Sequence, residues 1–211
     1  MPRQLSATIG IVTHNRHHLL GNLLADLDNQ IDKDDHIVII DNGFKEHTKH
    51  SFLVHEKISG YHNNTYFRVR TKSIPKARNS IIKIAQLNDT DILTFIDDDC
   101  LPGKNWLKHI KDTFRDNPNY VVLQGMSKSL PINNPYAKTT EILYKSWFDH
   151  NSSDKTTKIL DTKNCSFLIQ KIPSSIFYFD THMTYATDIE LGFRLIKNGI
   201  NIYKCPAGLV S

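Results

Sequence analysis

The chain has few cysteines and none of the common metal-ligand spacings. Its 211 residues include only Cys100, Cys165 and Cys205 as cysteines. An odd, widely spaced set forms neither a disulfide framework nor a Cys-x-x-Cys site, which indicates a reducing compartment. The 11 histidines contain no His-Glu-x-x-His motif. We therefore predict that the histidines lie at the surface, including His17 and His18 at the start of a helix.

Long hydrophobic runs are also absent. No stretch of about 18 apolar residues occurs, which argues against a membrane-spanning helix. Residues 1–5 lack the apolar segment of a signal peptide. We therefore expect a cytoplasmic protein without a transmembrane segment, and we leave open a peripheral association with the inner face of the membrane.

The excess of positive charge is small, at 26 basic against 22 acidic residues, and it is spread along the chain. Such a charge favours an anionic phosphate substrate. No zinc-knuckle spacing or aromatic RNA-binding motif accompanies it, so we predict no nucleic-acid partner. The content of hydrophobic residues (39%) and charged residues (23%) is that of a globular protein.

Short apolar runs alternate with segments of helical periodicity in the first half of the chain. This alternation predicts an α/β fold built on a parallel, doubly wound sheet. The predicted strands are 7–13, 36–40, 66–70, 91–96, 120–126, 165–170 and 200–204. The predicted helices are 16–30, capped by Asn15, then 75–85, 104–115, 137–148 and 188–198, with a short one near Phe52.

Polar residues stand where three of the predicted strands end, namely Thr13, Asp41 and Asp97. Ligands of such sheets bind at the carboxyl ends of the strands, so these residues are predicted to share one cleft. Asp97, Asp98 and Asp99 directly follow a buried strand. Clustered carboxylates repel each other, and Mg²⁺ or Mn²⁺ together with substrate phosphates would offset that repulsion. A solvated turn remains the alternative for this triplet.

Five segments in this order resemble the motifs of family 2 glycosyltransferases of the GT-A fold. They are residues 11–16, 39–43, 75–79, 95–99 and 186–195. The resemblance covers nearly the whole chain and implies a three-layer α/β/α domain with a mixed, mostly parallel sheet. It implies one domain over residues 1–211, with a nucleotide-sugar-binding half (1–100) and an acceptor-binding half (101–211). The chain ends near the position where the family commonly has a histidine, so we expect that it lacks further elements.

The resemblance also implies a role for individual residues. Thr13, His14 and Asp41 would hold the nucleotide base, although the family usually has Tyr at the position of His14. Arg78 would bind the nucleotide or its phosphates, which suits the fork of a guanidinium group. Asp97 or Asp98 would bind the ribose, and Asp99, with Asp97, would hold the metal, Mn²⁺ or Mg²⁺.

Asp188 matches the catalytic base of the family, which would remove a proton from the acceptor hydroxyl. The residues themselves allow a second interpretation, because Thr187 to Glu190 form a capping box. In it Thr187 would cap the helix, Glu190 would reach back, and Asp188 would only favour the helix dipole. Both tryptophans, Trp106 and Trp147, are predicted to lie in the core, and contact with acceptor sugars is the alternative.

The predicted function is inverting transfer of a hexosyl or N-acetylhexosaminyl group from a nucleotide-diphospho-sugar. UDP is the expected nucleotide, and a glycan, a lipid-linked sugar or a peptide is the expected acceptor. The alternative is a non-catalytic nucleotide- or glycan-binding module on a degenerate scaffold. A nucleotidyltransferase would need a glycine-rich loop where residues 13–16 contain no glycine. The donor sugar and the oligomeric state remain open.

Overall fold

The computed structural model describes residues 4–43, 63–69, 73–128 and 135–210. Its strands are β1 (Ala7–Thr13), β2 (His36–Asp41), β3 (Asn64–Arg68), β4 (Ile92–Ile96), β5 (Val122–Ser127), β6 (Thr156–Thr157), β7 (Asn164–Leu168) and β8 (Ile202–Val210). Its helices are α1 (His17–Leu27), α2 (Ile74–Leu87), α3 (Trp106–Asp116), α4 (Pro135–His150) and α5 (Thr187–Lys197). The helix predicted near Phe52 falls outside these residues.

The described strands form one eight-stranded sheet in the order β3-β2-β1-β4-β7-β5-β8-β6. Strands β3, β2, β1 and β4 are mutually parallel, and β5 is parallel to β8. Only β7 and β6 run antiparallel to their neighbours among these pairings. The prediction of a mixed, mostly parallel sheet is therefore confirmed.

Helices cover both faces of the sheet. The buried side chains of a strand therefore alternate between two cores, one on each face. Ile37 and Ile39 of β2 belong to the core that α1 and α3 share. Val38 and Ile40 of the same strand belong to the core that α2 and α5 share. A strand that is buried on both faces reads as a continuous apolar run, which explains the pattern of residues 36–40. The predicted three-layer α/β/α arrangement is confirmed.

Strand pairing sets the element ends that the sequence pattern placed wrongly. The predicted strand 66–70 is found at Asn64–Arg68, where its register against β2 begins. The last strand extends to Val210 instead of ending at residue 204, because β5 and β8 continue to pair after an irregularity between Gly125 and Met126. The two-residue strand β6 was not predicted, since it exists only by pairing with β8.

The start of α1 differs from the prediction that Asn15 caps it. The N-cap residue is Arg16, and no side chain caps the helix. Asn15 instead adopts a left-handed backbone conformation, with φ of 55°, and its amide bonds to His14. The prediction for α2 is confirmed in more detail, because Pro75 lies in its first turn and Ser73 caps it.

Candidate active site

Strand order brings three predicted site residues to one edge of the sheet. Because β1 lies between β2 and β4, the carboxyl ends that carry Thr13, Asp41 and Asp97 are adjacent. A cavity of about 370 Å³, here called the strand-end pocket, opens at this edge. It is lined by Val12, Thr13, His14, Arg16, Asn42, Ile74, Arg78 and Asp97. Thr13, His14, Arg78 and Asp97 were predicted as nucleotide ligands, whereas Asp41 and Asp98, also predicted, do not line this pocket.

Asp41 is fully buried beneath the pocket and has three donors of its own. Its Oδ2 accepts hydrogen bonds from His17 Nε2 at 2.9 Å and from the Tyr66 hydroxyl at 2.7 Å. Its Oδ1 accepts from the Gly43 amide at 2.7 Å. Burial, followed by the bond to Asp41, raises the pKa of Tyr66 well above its usual value. The carboxylate thus joins α1, β3 and the Gly43 backbone at the end of β2.

The same contact corrects the prediction that His17 lies at the surface. Its ring is buried under the first turn of α1, where it faces the Asp41 carboxylate. A partner for a buried polar ring compensates for its lost hydration. The sequence pattern held no signal for this pairing, because the two residues are far apart in the chain.

Asn42 is the residue at the end of β2 that does line the pocket, and the sequence pattern did not single it out. Its side chain is buried, and its Oδ1 has no hydrogen-bond partner. Its Nδ2 lies 3.5 Å from the Ser73 carbonyl oxygen. His14 Nδ1 donates to the Asn42 carbonyl at 2.9 Å and so ties the two strand ends together. A buried amide with an unsatisfied oxygen beside a cavity is suited to a polar ligand.

The acidic triplet points in different directions, one residue after the next. Asp98 is fully buried and accepts a 2.5 Å hydrogen bond from the Thr13 hydroxyl. Asp97 is half-buried and lines the strand-end pocket, whereas Asp99 is exposed. Burial raises the pKa of Asp97 to about 6, an effect that Arg78 opposes and Asp161 reinforces. Asp97 and Asp99, not Asp98, are therefore the acids that a bound group can reach.

Arg16, which no sequence pattern marked as a site residue, lies between two acids of the triplet. Its Nη2 and Nε lie 2.5 and 3.2 Å from the two oxygens of Asp98. Its Nη1 donates to Asp99 Oδ2 at 2.8 Å. One guanidinium group therefore contacts a buried and an exposed carboxylate at once.

Arg78 connects the pocket to the start of α5. Its guanidinium group lies 5.3 Å from the centre of the Phe179 ring and donates to the Thr187 hydroxyl at 3.4 Å. Its positive charge lowers the pKa of Asp97, against the effect of burial. The predicted phosphate ligand thus lies between the acidic triplet and the helix that carries Asp188.

The capping box predicted at α5 is wrong. The N-cap residue is Ala186, in a left-handed conformation, and no side chain caps the helix. Thr187 is buried and accepts from Arg78, while Glu190 forms an ion pair with Arg194 one turn further on. With its carboxylate bonded to Arg194, Glu190 does not reach back to the start of the helix. Asp188 is consequently not part of a reciprocal cap.

The Asp188 carboxylate is half-buried at the first turn of α5. Its Oδ2 lies 3.5 Å from the Thr162 hydroxyl, and its Oδ1 accepts from the Ile189 amide at 3.0 Å. The carboxylate therefore lies at the N-terminal end of α5, with one backbone donor and one hydroxyl group beside it.

A second pocket, of about 260 Å³, lies on the other side of Asp99. Asp99, Lys128, Tyr144 and Lys163 are among its lining residues. Asp161 accepts from the Tyr144 hydroxyl at 2.9 Å and lies 3.2 Å from Lys163 Nζ. Burial, together with Asp161, raises the pKa of Tyr144, so its hydroxyl remains protonated. The second pocket therefore presents two lysines, two carboxylates and several hydroxyl groups.

The two tryptophans differ in position. Trp106 is buried in the core, as predicted, and donates from Nε1 to Asn164 Oδ1 at 3.0 Å. Trp147 is 42% exposed on α4, so its prediction as a core residue is wrong. It packs against Tyr144, at 6.0 Å between ring centres, beside the second pocket.

The described residues contain no group of three His, Cys, Asp or Glu side chains that would hold a metal alone. Asp97 lines the strand-end pocket, and Asp99, two residues further on, is exposed and lines the second pocket. Mg²⁺ and Mn²⁺ sites of nucleotide enzymes commonly use one or two carboxylates and complete the shell with water and phosphate oxygens. The residues present fit a metal of that kind.

A family profile described as "Glycosyl transferase family 2" matches residues 8–177, which include the whole strand-end pocket and the acidic triplet. The chain belongs to glycosyl transferase family 2. The match ends before Asp188, so the placement of that residue rests on the structure. A comparison with curated protein sequences finds no match.

Solved structures share the fold of this family 2 chain at low sequence identity. A mannosyltransferase, PcManGT from Pyrobaculum calidifontis in complex with GDP-Man and Mn²⁺, aligns over 99% of this chain and 57% of its own, with a TM-score of 0.75 and 16% identity. The 1-349 form of S. aureus TarS in complex with UDP-GlcNAc aligns over 95% of this chain and 56% of its own (TM-score 0.70, 19% identity). GalNAc-T7 with UDP, GalNAc and Mn²⁺ aligns over 100% of this chain and 44% of its own, with a TM-score of 0.71 and 15% identity. The chain thus spans roughly half the length of these proteins. The structural similarity and the family match both support the fold.

Among the described residues, no helix has both the length and the hydrophobicity needed to cross a bilayer.

Proposed function

We propose that the chain is an inverting glycosyltransferase that moves a hexosyl or N-acetylhexosaminyl group from a nucleotide-diphospho-sugar to a hydroxyl group. The observation that carries this proposal is the strand-end pocket. It gathers four residues predicted as nucleotide ligands from the ends of two strands and from α2. Its lining residues all lie within residues 1–100, the half proposed to bind the donor.

The nucleotide base would bind at the part of the pocket lined by Thr13, His14 and Asn42. The unpartnered Oδ1 of Asn42 accepts a hydrogen bond from an N–H on the edge of a base. Asp41 supports the end of β2, next to Asn42, through its three hydrogen-bond donors. The similar structures hold GDP-Man, UDP-GlcNAc or UDP. Uracil is the base that we propose, and guanine is the competitor to be tested.

The diphosphate would lie between Arg78 and the acidic triplet. The guanidinium group supplies donors to phosphate oxygens, while Asp97 and Asp99 would hold Mn²⁺ or Mg²⁺ on the opposite side. When bound, the metal would stabilise the negative charge of the leaving diphosphate. Two of the similar structures hold Mn²⁺. Asp98, which is buried against Thr13 and Arg16, would support this site and the ribose from behind.

Asp188 would act as the general base. Its carboxylate would take the proton from the acceptor hydroxyl as that oxygen attacks the anomeric carbon and the nucleotide diphosphate leaves. A single displacement at that carbon inverts its configuration. The acceptor, a glycan, a lipid-linked sugar or a peptide, would approach from the second pocket, where Tyr144 and Lys163 offer hydrogen bonds. That pocket lies mostly within residues 101–211, the half proposed to bind the acceptor.

Calorimetric titration with UDP and GDP, each with Mn²⁺, Mg²⁺ or EDTA, tests the donor and the metal. Release of nucleotide diphosphate from a panel of nucleotide sugars then tests turnover. We expect metal-dependent binding of UDP with micromolar affinity or better, and slow hydrolysis of one donor without acceptor. A chain that binds UDP without any turnover would instead be a non-catalytic module. If no nucleoside diphosphate binds with any metal, the proposal is wrong.

A further inference from the structure

Arg16 holds two neighbouring acids whose surroundings differ sharply. The Asp98 side chain is 0% exposed, whereas the side chains of Arg16 and Asp99 are 44% and 45% exposed. Asp98 receives two nitrogens of the guanidinium fork and the Thr13 hydroxyl. Because the Asp98 carboxylate is fully buried, removal of its guanidinium partner would leave a buried charge uncompensated, which is costly, while an exposed single contact contributes little. The contact of Arg16 with Asp98 is therefore lasting, and the contact with Asp99 is replaceable.

The replaceable contact lies between the two proposed ligands. Arg16 lines the strand-end pocket, where the diphosphate is proposed to bind. Asp99 lines the second pocket and is a proposed ligand of the metal. While Nη1 donates to Asp99 Oδ2 at 2.8 Å, that oxygen is less available to a cation. The same N–H groups can donate to the oxygens of a diphosphate, which are anionic acceptors as well.

We propose that Arg16 is a positioning residue that couples nucleotide diphosphate binding to metal binding by exchanging its partner. Without ligand, its Nη1 group holds Asp99. A diphosphate in the pocket takes over the hydrogen bonds of Nη1, and Asp99 becomes free to bind the divalent cation. Asp98 keeps the guanidinium group in place throughout. This inference rests on the proposed function, because it assumes that both ligands bind at this edge of the sheet.

Direct contact between metal and phosphate also couples the two ligands, so the test must isolate the contribution of Arg16. Arg16→Lys retains the charge but lacks the planar fork that spans both acids. A lysine would keep the contact with the buried Asp98 and leave Asp99 free. A general effect of charge predicts no change in this variant, whereas partner exchange predicts tighter binding of metal in the absence of nucleotide.

The measurement is Mn²⁺ affinity by the loss of the free-ion EPR signal, with and without saturating UDP. For Arg16→Lys we expect the Mn²⁺ dissociation constant of the nucleotide-free protein to fall about fivefold, the upper range for an exposed pair. With UDP bound, the Mn²⁺ dissociation constant of Arg16→Lys should equal or exceed that of the wild type. The ratio of the two constants, which measures the coupling, should then fall at least about fivefold.

Arg115→Lys is the matched control, because Arg115 is an exposed arginine paired with Asp112 and Asp116 on α3. Arg16→Gln serves as the second variant if Arg16→Lys does not fold, and it should change the ratio in the same direction. An unchanged ratio in a variant that folds would overturn the exchange mechanism while the proposed function stands. If the wild type binds neither UDP nor Mn²⁺, the proposed function fails and the exchange mechanism fails with it.

Discussion

Replacement of Asp188 by Asn tests the proposed chemistry most directly. The oxygen of the new amide can accept from the Ile189 amide, and its nitrogen can donate to the Thr162 hydroxyl, so the side chain should remain in place. It loses a negative charge that the helix dipole stabilises at the N-terminus of α5, which lowers the free energy of unfolding by about 0.3–1 kcal/mol. Loss of a general base costs on the order of 10²- to 10⁴-fold in rate, or about 3–5 kcal/mol of barrier. The effect on turnover should therefore greatly exceed the effect on stability.

The assay compares nucleotide diphosphate release, UDP affinity and thermal unfolding in the wild type and in Asp188→Asn. We expect turnover to fall at least about 100-fold while the affinity for UDP with Mn²⁺ changes less than about twofold. Glu190→Gln is the matched control, since Glu190 is a carboxylate on the same helix that pairs with Arg194. Turnover of Asp188→Asn within a few-fold of the wild type would refute the assignment of the base.

Asp99→Asn should abolish the part of UDP affinity that depends on Mn²⁺ and leave the affinity in EDTA unchanged, as calorimetry would reveal. Asn42→Ala should weaken UDP about threefold to tenfold, the range for one hydrogen bond, without a change in nucleotide-free Mn²⁺ binding. Tyr66→Phe should lower the free energy of unfolding by about 1 kcal/mol in urea titrations, because Asp41 loses one donor. Folding raises the pKa of Asp97 from 3.8 to about 6. The ionised side chain therefore lowers the free energy of unfolding fully above pH 6, and this loss of stability disappears below pH 3.8, where Asp97 is protonated in both states. Asp97→Asn should therefore stabilise the protein by about 1–3 kcal/mol at pH 8 and by much less near pH 4; equal gains at both pH values would contradict this.

The architecture was largely predictable because its signals are local. Continuous apolar runs such as residues 36–40 indicate strands buried on both faces, and the sheet confirms them. Their order along the chain also indicated which polar residues would follow strand ends. The short strand β6 and the extension of β8 were not predictable, because they depend on pairing between distant segments.

The roles of neighbouring polar residues were less predictable. The sequence places Asp41 and Asn42 together at the end of β2, and the family resemblance favoured Asp41 as the ligand of the base. In the structure, α1 and β3 supply His17 and Tyr66 as donors to Asp41, which leaves Asn42 to line the pocket. The choice between adjacent residues thus depended on what other elements placed beneath the strand end.

The sequence alone determined the α/β fold class and the edge of the sheet that carries the candidate site, because both follow from local periodicity and from the direction of the strands. It also places the acidic triplet directly after a strand. Only the tertiary structure decided how the triplet divides. Asp98 is turned inward against Thr13 and Arg16, while Asp97 and Asp99 face the two pockets. The physical reason is that burial and charge pairing depend on groups about 80 positions apart in the chain, which no local pattern records.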